Sequence, residues 1–224
     1  MKINPIAHIH TDFKEKFGIP RQSGRVNAEG IIIFCEEYRE PEALRGIEEY
    51  SHLWLIFDFS ENHRENWSPT VRPPRLGGNT HIGVFATRSP FRPNNLGLSC
   101  VEILGVEKTK KQGIILRVSG VDMLDNTPIY DIKPYIPYYD CKENAKGSFG
   151  EEFAEYSLSL VDEENKLSII PEDKRKIAIN CLCEDIRPSY QNDPERVYKW
   201  LFSDYEISFC VENEKVKIVS CVVK

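Results

Sequence analysis

The sequence predicts a mainly β protein, a single β-barrel followed by a small C-terminal α+β appendage. Short runs rich in β-branched and aromatic residues recur between Gly, Pro and Asn, as strands do. Only residues 42–49 look helical in the first part of the chain, so the regular alternation of strands and long helices in a doubly wound sheet is missing. A closed barrel is the expected architecture.

Six strands are predicted in the first part of the chain. They are residues 31–34, 53–59, 83–87, 98–104, 113–118 and 129–136. The segment from Leu53 to Phe57 is apolar throughout, which predicts burial on both faces, in a barrel interior or under a dimer partner.

The composition changes after Asp140, where a polar stretch over residues 142–149 indicates a linker. We therefore expect a barrel over residues 1–141 and an appendage over 150–224. The appendage is predicted to contain a strand at 153–161, a helix at 171–184 and strands at 205–211 and 216–223, with a hairpin turn between the last two.

The bulk composition fits a soluble globular protein, with 41% hydrophobic and 29% charged residues. No apolar run approaches the ~18–20 residues that span a bilayer, and Pro5, His8 and His10 interrupt any signal-type N-terminus. Seven scattered cysteines without a C-x-x-C pair favour reduced thiols in the cytoplasm and no metal site.

The most distinctive feature is a stretch between Asn66 and Val101 that contains no Asp, Glu or Lys but four arginines. We call it the arginine island; its arginines are Arg72, Arg75, Arg88 and Arg92. The whole chain has a net charge of −6, so the island is a cationic patch on an acidic protein. It predicts a local anion site on a loop stiffened by proline, unless the arginines pair with carboxylates elsewhere in the fold.

Familiar catalytic and nucleotide-binding motifs do not occur. There is no G-x-G-x-x-G, no G-x-x-x-x-G-K-[ST], no G-x-S-x-G and no H-E-x-x-H. On the strand at 129–136, Asp131, Lys133 and Tyr135 share one face, which either lines a pocket or faces solvent.

Five motifs in order give the chain a close resemblance to the TsaA-like family, also called TrmO or YaeB proteins. They are KFGIPRQSG, GIEEYSHLWLIF, VRPPRLGGN, GVFATRSPFRPN and TPIYDIKPYIPY, which lie within residues 3–140. The resemblance implies a single β-barrel that works as a homodimer. It also implies S-adenosylmethionine-dependent N6-methylation of the threonylcarbamoylated adenosine immediately 3′ of the anticodon in tRNA.

Site residues follow from the matching positions. The resemblance implies that the methyl donor contacts Pro20, Arg21, Gln22, Ser60, Glu61, Arg88, Leu98, Ser119, Gly120, Val121 and Asp122. The acceptor nitrogen is amide-like and must lose a proton, so we expect Asp131 or Asp122 as the base or proton relay, with Tyr135 orienting. Arg72, Arg75 and Arg92 are candidates for anticodon-loop phosphates or the threonyl carboxylate.

The chain departs from the family pattern at three places. Asn95 stands where proline is usual and Asn126 where glycine is usual; Asn126 is expected to hold the same turn, since Asn tolerates a left-handed backbone. The stretch at 184–190 differs from the usual tail. There, Arg187 and Tyr190 either contact RNA or belong to a turn packed on the body.

Two other functions remain open from the sequence. One is a non-catalytic homodimeric module that binds S-adenosylmethionine or RNA through the same barrel, and the other is an interaction domain whose arginine island binds an acidic protein. Transfer of a labelled methyl group to tRNA distinguishes the enzyme from both.

Overall fold

A computed structural model describes residues 2–76, 79–153, 156–188, 191 and 193–224. Twelve strands and two α-helices occur in these ranges. The strands are β1 (Ala7–Thr11), β2 (Glu29–Phe34), β3 (His52–Asp58), β4 (Thr70–Val71), β5 (Ile82–Gly83), β6 (Leu96–Thr109), β7 (Gly113–Ser119), β8 (Thr127–Pro134), β9 (Ser159–Val161), β10 (Tyr198–Phe202), β11 (Tyr205–Glu212) and β12 (Lys215–Val223). The helices are α1 (Pro137–Asp140) and α2 (Glu172–Cys183).

Six strands close into the predicted barrel in the order β1-β2-β7-β6-β3-β8. Alternate residues of each strand point inward; in β3, Leu53, Leu55 and Phe57 are buried in the core. Trp54 and Ile56 point outward and are only half-buried, so burial on both faces is not achieved in the single chain. The mainly β fold class and the closed barrel are confirmed.

Two predicted elements of the barrel region are wrong. Residues 42–49 form two 3₁₀ turns, Pro41–Leu44 and Ile47–Glu49, because Gly46 between them takes a left-handed backbone at φ 84°. Residues 83–87 form the 3₁₀ turn Val84–Ala86 instead of a strand. The amide of Val84 donates to the Pro69 carbonyl (2.9 Å), which turns the chain away from the barrel.

The appendage is a four-stranded sheet in the order β10-β11-β12-β9, with α2 packed on it. Ala178, Cys181 and Leu182 form the buried face of the helix, as the predicted spacing requires. The hairpin between β11 and β12 turns at Asn213 and Glu214, both with positive φ. Of the strand predicted at 153–161, residues 154–155 lie outside the described residues, and β9 is the part that pairs among the rest. Strands β1 and β10 were not predicted.

Barrel and appendage share one hydrophobic core along a contact that we call the seam. Phe13 packs on Phe202 with ring centroids 6.0 Å apart, and Lys174 Nζ donates to Asp12 Oδ1 at 2.7 Å. Gly18 lies so close to Trp200 that a Cβ would come within 2.0 Å of the indole nitrogen. The limits 1–141 and 150–224 therefore stay a prediction, because the two parts pack as one body.

The helices of the described residues are all too short to cross a membrane.

Candidate functional site

Two adjoining cavities open at one end of the barrel. The barrel cavity, of about 700 Å³, is lined by parts of residues 16–22, 57–62 and 96–99 together with Asp122. The island cavity, of about 1420 Å³, is lined mainly by residues 64–74 and 85–93. Gln22, Arg88 and Arg92 line both cavities, so the two spaces are continuous. The first volume is typical of a small-molecule site.

Asp122 is the central polar group of the barrel cavity. Ser99 Oγ donates to Asp122 Oδ1 at 2.6 Å, and the backbone N–H of Ser23 also bonds the carboxylate. Burial disfavours the charged form and raises the pKa of Asp122 to about 6, although these hydrogen bonds and the charge of Arg88 oppose the shift. A carboxyl with such a pKa is suited to accept a proton near neutral pH.

Asp58 is a second carboxylate of this cavity and is not among the residues predicted from the sequence. It is buried at the end of β3, where His63 Nε2 lies 2.7 Å from its Oδ1 and the Tyr130 hydroxyl bonds it. The one sequence feature that could have indicated Asp58 is its position directly after the apolar run 53–57, because a charged residue there lies where the strand leaves the barrel.

Eight of the eleven predicted donor contacts line the barrel cavity. They are Pro20, Arg21, Gln22, Ser60, Glu61, Arg88, Leu98 and Asp122. Arg88 Nη1 donates to Gln22 Oε1 at 2.5 Å, which ties the arginine island to the first loop of the barrel. Leu98 is 55% exposed and gives the cavity an apolar surface.

The other three residues of that set lie beneath the cavity and do not line it. Ser119 and Val121 are buried, and Gly120 between them has a left-handed backbone at φ 83°. The Gly120 carbonyl accepts from the Gly24 amide at 3.0 Å. This turn places Asp122 at the cavity wall, so the three residues position the carboxylate instead of presenting side chains.

Asp131 and Tyr135 line neither cavity. Asp131 lies on β8 with Lys133 Nζ 3.2 Å from its Oδ2, and its side chain is about half exposed. Tyr135 packs against the rings of His52 and Trp54. The structure therefore brings Asp122, but not the other two predicted catalytic residues, to the predicted donor contacts.

The arginine island folds over the island cavity. Arg72 Nε donates to His81 Nε2 at 3.0 Å, and Arg92 Nη1 donates to the carbonyls of Val84 (3.2 Å) and Thr87 (2.7 Å). Arg72, Arg88 and Arg92 form no ion pair with any carboxylate of the described residues. Pairing with distant carboxylates is thus not their role, while the side chain of Arg75 lies outside the described part.

One further arginine lines the same cavity. Arg64 precedes the island in sequence, and its guanidinium lies 3.7 Å from the ring centroid of Phe91. Arg64 lies outside the acid-free stretch and is followed directly by Glu65, so the charge pattern does not indicate it.

Arg187 belongs to the seam and not to a surface available to RNA. It is 8% exposed, and its Nε and Nη2 donate to the two carboxylate oxygens of Asp185 at 2.8 and 2.9 Å. Arg21 Nη2 in turn donates to the carbonyls of both Asp185 and Arg187. This burial fits the second of the two alternatives, a turn packed on the body. Tyr190 lies outside the described residues.

The described residues contain no group of three His, Cys, Asp or Glu side chains arranged to hold a metal ion.

Comparisons with known proteins agree with this geometry. The model of the tRNA-methyltransferase O N-terminal domain matches residues 8–141. The tRNA (adenine(37)-N6)-methyltransferase of Escherichia coli strain K12 is 38% identical over 216 residues, which cover 92% of this chain and 91% of that protein. A probable S-adenosyl-L-methionine-binding protein of Pyrococcus abyssi is 41% identical over 143 residues, 63% of this chain and 72% of that protein.

A crystal structure of TrmO from P. aeruginosa superimposes with a TM-score of 0.80 at 29% sequence identity. The match covers 100% of this chain and 97% of that one, so the similarity includes the appendage as well as the barrel.

Proposed function

The chain belongs to the tRNA-methyltransferase O family, and we propose that it is an S-adenosylmethionine-dependent enzyme that methylates N6 of adenine 37 in tRNA. The observation that carries this proposal is the barrel cavity, where eight residues implied in donor binding meet, among them Asp122 with its raised pKa. We further propose that the substrate adenosine carries a threonylcarbamoyl group on N6 and that the enzyme works in the cytoplasm.

The residues of the barrel cavity fit S-adenosylmethionine. Apolar surfaces of Ile19, Phe59 and Leu98 suit a purine ring, and Glu61 offers an acceptor for ribose hydroxyl or amino groups. Arg88 offers a guanidinium for the carboxylate of the methionine part. When bound, the donor would supply a methyl group carried on a sulfonium sulfur, and the demethylated donor would leave as a neutral thioether.

The chain's own residues must prepare the acceptor nitrogen. The N6 lone pair is delocalised into the carbamoyl group, so the nitrogen is a poor nucleophile until its proton is removed. We assign that proton to the carboxylate of Asp122, which Ser99 holds in place by its 2.6 Å hydrogen bond. Positioning of acceptor and donor in one cavity supplies the rest of the catalysis.

Asp122 is preferred to Asp131 as the base because only Asp122 lines a cavity. A role for Asp131 or Tyr135 at this site requires a contribution from outside the single chain. The half-buried outer face of β3, with Trp54 and Ile56, supports the proposal that a second copy packs there to form a homodimer. Analytical ultracentrifugation tests this; a monomer at micromolar concentration contradicts it.

The island cavity is proposed to receive the anticodon loop. Its lining holds Arg64, Arg72, Arg88, Arg92 and Lys146 against a single carboxylate, Glu65, among the described residues. A guanidinium group can donate two parallel hydrogen bonds to one phosphate. A local cationic surface also lets an otherwise acidic protein approach RNA.

The experiment uses the purified full-length chain, labelled S-adenosylmethionine and tRNA with or without the threonylcarbamoyl group. Label on N6 of adenine 37, located by nuclease digestion and mass spectrometry, is the expected result for the modified tRNA. Donor binding without transfer supports the non-catalytic module instead, and binding to neither donor nor tRNA contradicts both.

A further inference from the structure

Two large aromatic side chains stand exposed at the island cavity. Trp67 is 52% exposed and Phe85 is 73% exposed. Their ring centroids are 6.1 Å apart with an interplanar angle of 30°, a roughly stacked arrangement. Such side chains are normally covered in a folded protein, so a pair left open beside a cavity points to a ligand.

The chain builds this pair in a fixed position. Trp67 lies just before β4 and Phe85 just after β5, and these two short strands pair with each other. The amide of Val84 donates to the Pro69 carbonyl at 2.9 Å, which joins the two segments next to the rings. Arg92 adds a brace, since its Nη1 bonds the carbonyls on both sides of the Phe85 turn.

Cationic groups surround the pair. The guanidinium of Arg92 lies 5.9 Å from the Phe85 ring centroid. Arg64 and Arg72 line the same cavity, where Glu65 is the one carboxylate of the described lining. The ligand is therefore expected to carry both a flat ring and negative charge, a combination that unpaired nucleotides have.

The pair also lies close to the reaction site. Phe85 is three residues from Arg88, a span of at most about 11 Å of extended chain. Arg88 lines both cavities. A nucleotide next to one held in the barrel cavity therefore reaches these rings.

We propose that Trp67 and Phe85 form a stacking site for an unpaired nucleobase adjacent to the methylated adenosine. The inference rests on the proposed function, because the stacked nucleobase belongs to the same anticodon loop as the methylated adenosine. In this arrangement Arg72 and Arg92 hold phosphates, Arg88 holds the donor, and the two rings hold a neighbouring base so that the acceptor adenine enters the barrel cavity.

The test compares the wild-type protein with Trp67→Ala, Phe85→Ala and their double variant, using a threonylcarbamoylated anticodon stem-loop. Each alanine is expected to weaken RNA binding about tenfold, the range found for single base–aromatic stacks. Donor affinity should stay unchanged. Trp67→Phe and Phe85→Tyr retain a ring and should retain binding, which separates stacking from misfolding.

A matched control is Tyr138→Ala, since Tyr138 is 85% exposed but lines neither cavity. It should bind RNA as the wild type does.

A second set of stem-loops lacks the base on the 5′ or the 3′ side of the target adenosine. The abasic RNA that lacks the stacked base should bind the wild type about tenfold more weakly than intact RNA does. The double variant has already lost the stacking site, so it should bind this abasic RNA and intact RNA equally well.

Unchanged RNA affinity of the double variant, or additive effects of abasic RNA and protein substitution, overturns the inference. A loss of self-association in the double variant, with RNA affinity unchanged, also overturns it and assigns the rings to an interface between copies of the chain. Absence of methyl transfer by the wild type refutes the proposed function instead, and that result is read independently of these affinities.

Discussion

Two groups of arginines in this molecule, at the seam and in the arginine island, are held in opposite ways. At the seam, Arg187 pairs with both oxygens of Asp185, Arg25 pairs with Glu184, and Arg21 caps two backbone carbonyls. In the arginine island, Arg72 and Arg88 contact an imidazole and an amide, and no described carboxylate pairs with them. Charge neutralised inside the protein supports the fold, while charge left unneutralised is available to an anion.

The comparison also separates two carboxyl groups. Asp185 accepts two hydrogen bonds from Arg187, and the bonds to this carboxylate raise the pKa of Arg187. The Asp122 carboxyl lies in the cavity beside Ser99, and desolvation raises its pKa. The seam thus holds its carboxylate in an ion pair, whereas the cavity holds a carboxyl whose pKa lies near neutral pH.

Arg187→Ala is expected to have the largest effect on stability. It leaves the Asp185 carboxylate buried without its cation, and breaking a buried ion pair on one side costs about 3–5 kcal/mol. Urea denaturation measures the free energy of unfolding. A change below about 0.5 kcal/mol, as found for ordinary surface substitutions, would show that Arg187 does not stabilise the fold and is no different from the island arginines.

Arg88→Ala is expected to act on binding and not on stability. Losing a hydrogen bond to a charged group costs about 1.5–3 kcal/mol, so donor affinity in isothermal titration should fall roughly 10- to 100-fold. Arg25→Ala, at the seam, serves as the matched control and should leave donor affinity unchanged. Equal losses for both variants would remove the distinction between the two regions.

Asp122→Asn is expected to stabilise the protein above pH 6. The pKa of Asp122 is raised, so between about 4 and 6 the folded state keeps a proton that the unfolded state releases, and stability falls as pH rises through this window. Removing the charge should gain at most ~3 kcal/mol at pH 8 and little at pH 4. Destabilisation at pH 8 would show that the carboxylate is held as firmly as Asp185.

Arg72→Ala is expected to have the smallest effect. One lost phosphate contact should weaken tRNA binding a few-fold, uniformly across tRNA sequences, and reduce the slope of log affinity against log salt concentration by about 1. Stability should not change. A salt slope equal to that of the wild type would mean that Arg72 does not meet a phosphate.

Much of the fold follows from local sequence, because Gly, Pro and Asn bound the apolar runs of the barrel strands and Asn126 takes the expected left-handed turn at φ 63°. The turn Val84–Ala86 was mistaken for a strand, since its β-branched and aromatic residues match a strand pattern while the Pro69 carbonyl decides the backbone. Strand β1 was not predicted, although the alternation of buried Ala7, Ile9 and Thr11 with His8 and His10 is the pattern of a half-buried strand.

Many residues of the site could be predicted from the sequence, but which of them are buried could not. Local patterns identified the arginine island, but the burial of Arg187 depends on Arg21, 166 residues away, which no periodicity reveals. Asp58 was likewise overlooked, because its role appears only when the end of β3 meets the loops of the cavity. Contacts between distant segments decide which charges are structural.

The most direct test of the account is the single-turnover rate of methyl transfer against pH, at saturating donor and threonylcarbamoylated tRNA, for wild type, Asp122→Asn and Asp131→Asn. The wild-type rate should rise tenfold per pH unit below about 6 and level off above it, as the Asp122 carboxyl loses its proton. Asp122→Asn should be slower by about 100-fold or more, without this inflection, and Asp131→Asn should match the wild type. Wild-type rates and the same inflection in Asp122→Asn would contradict the account.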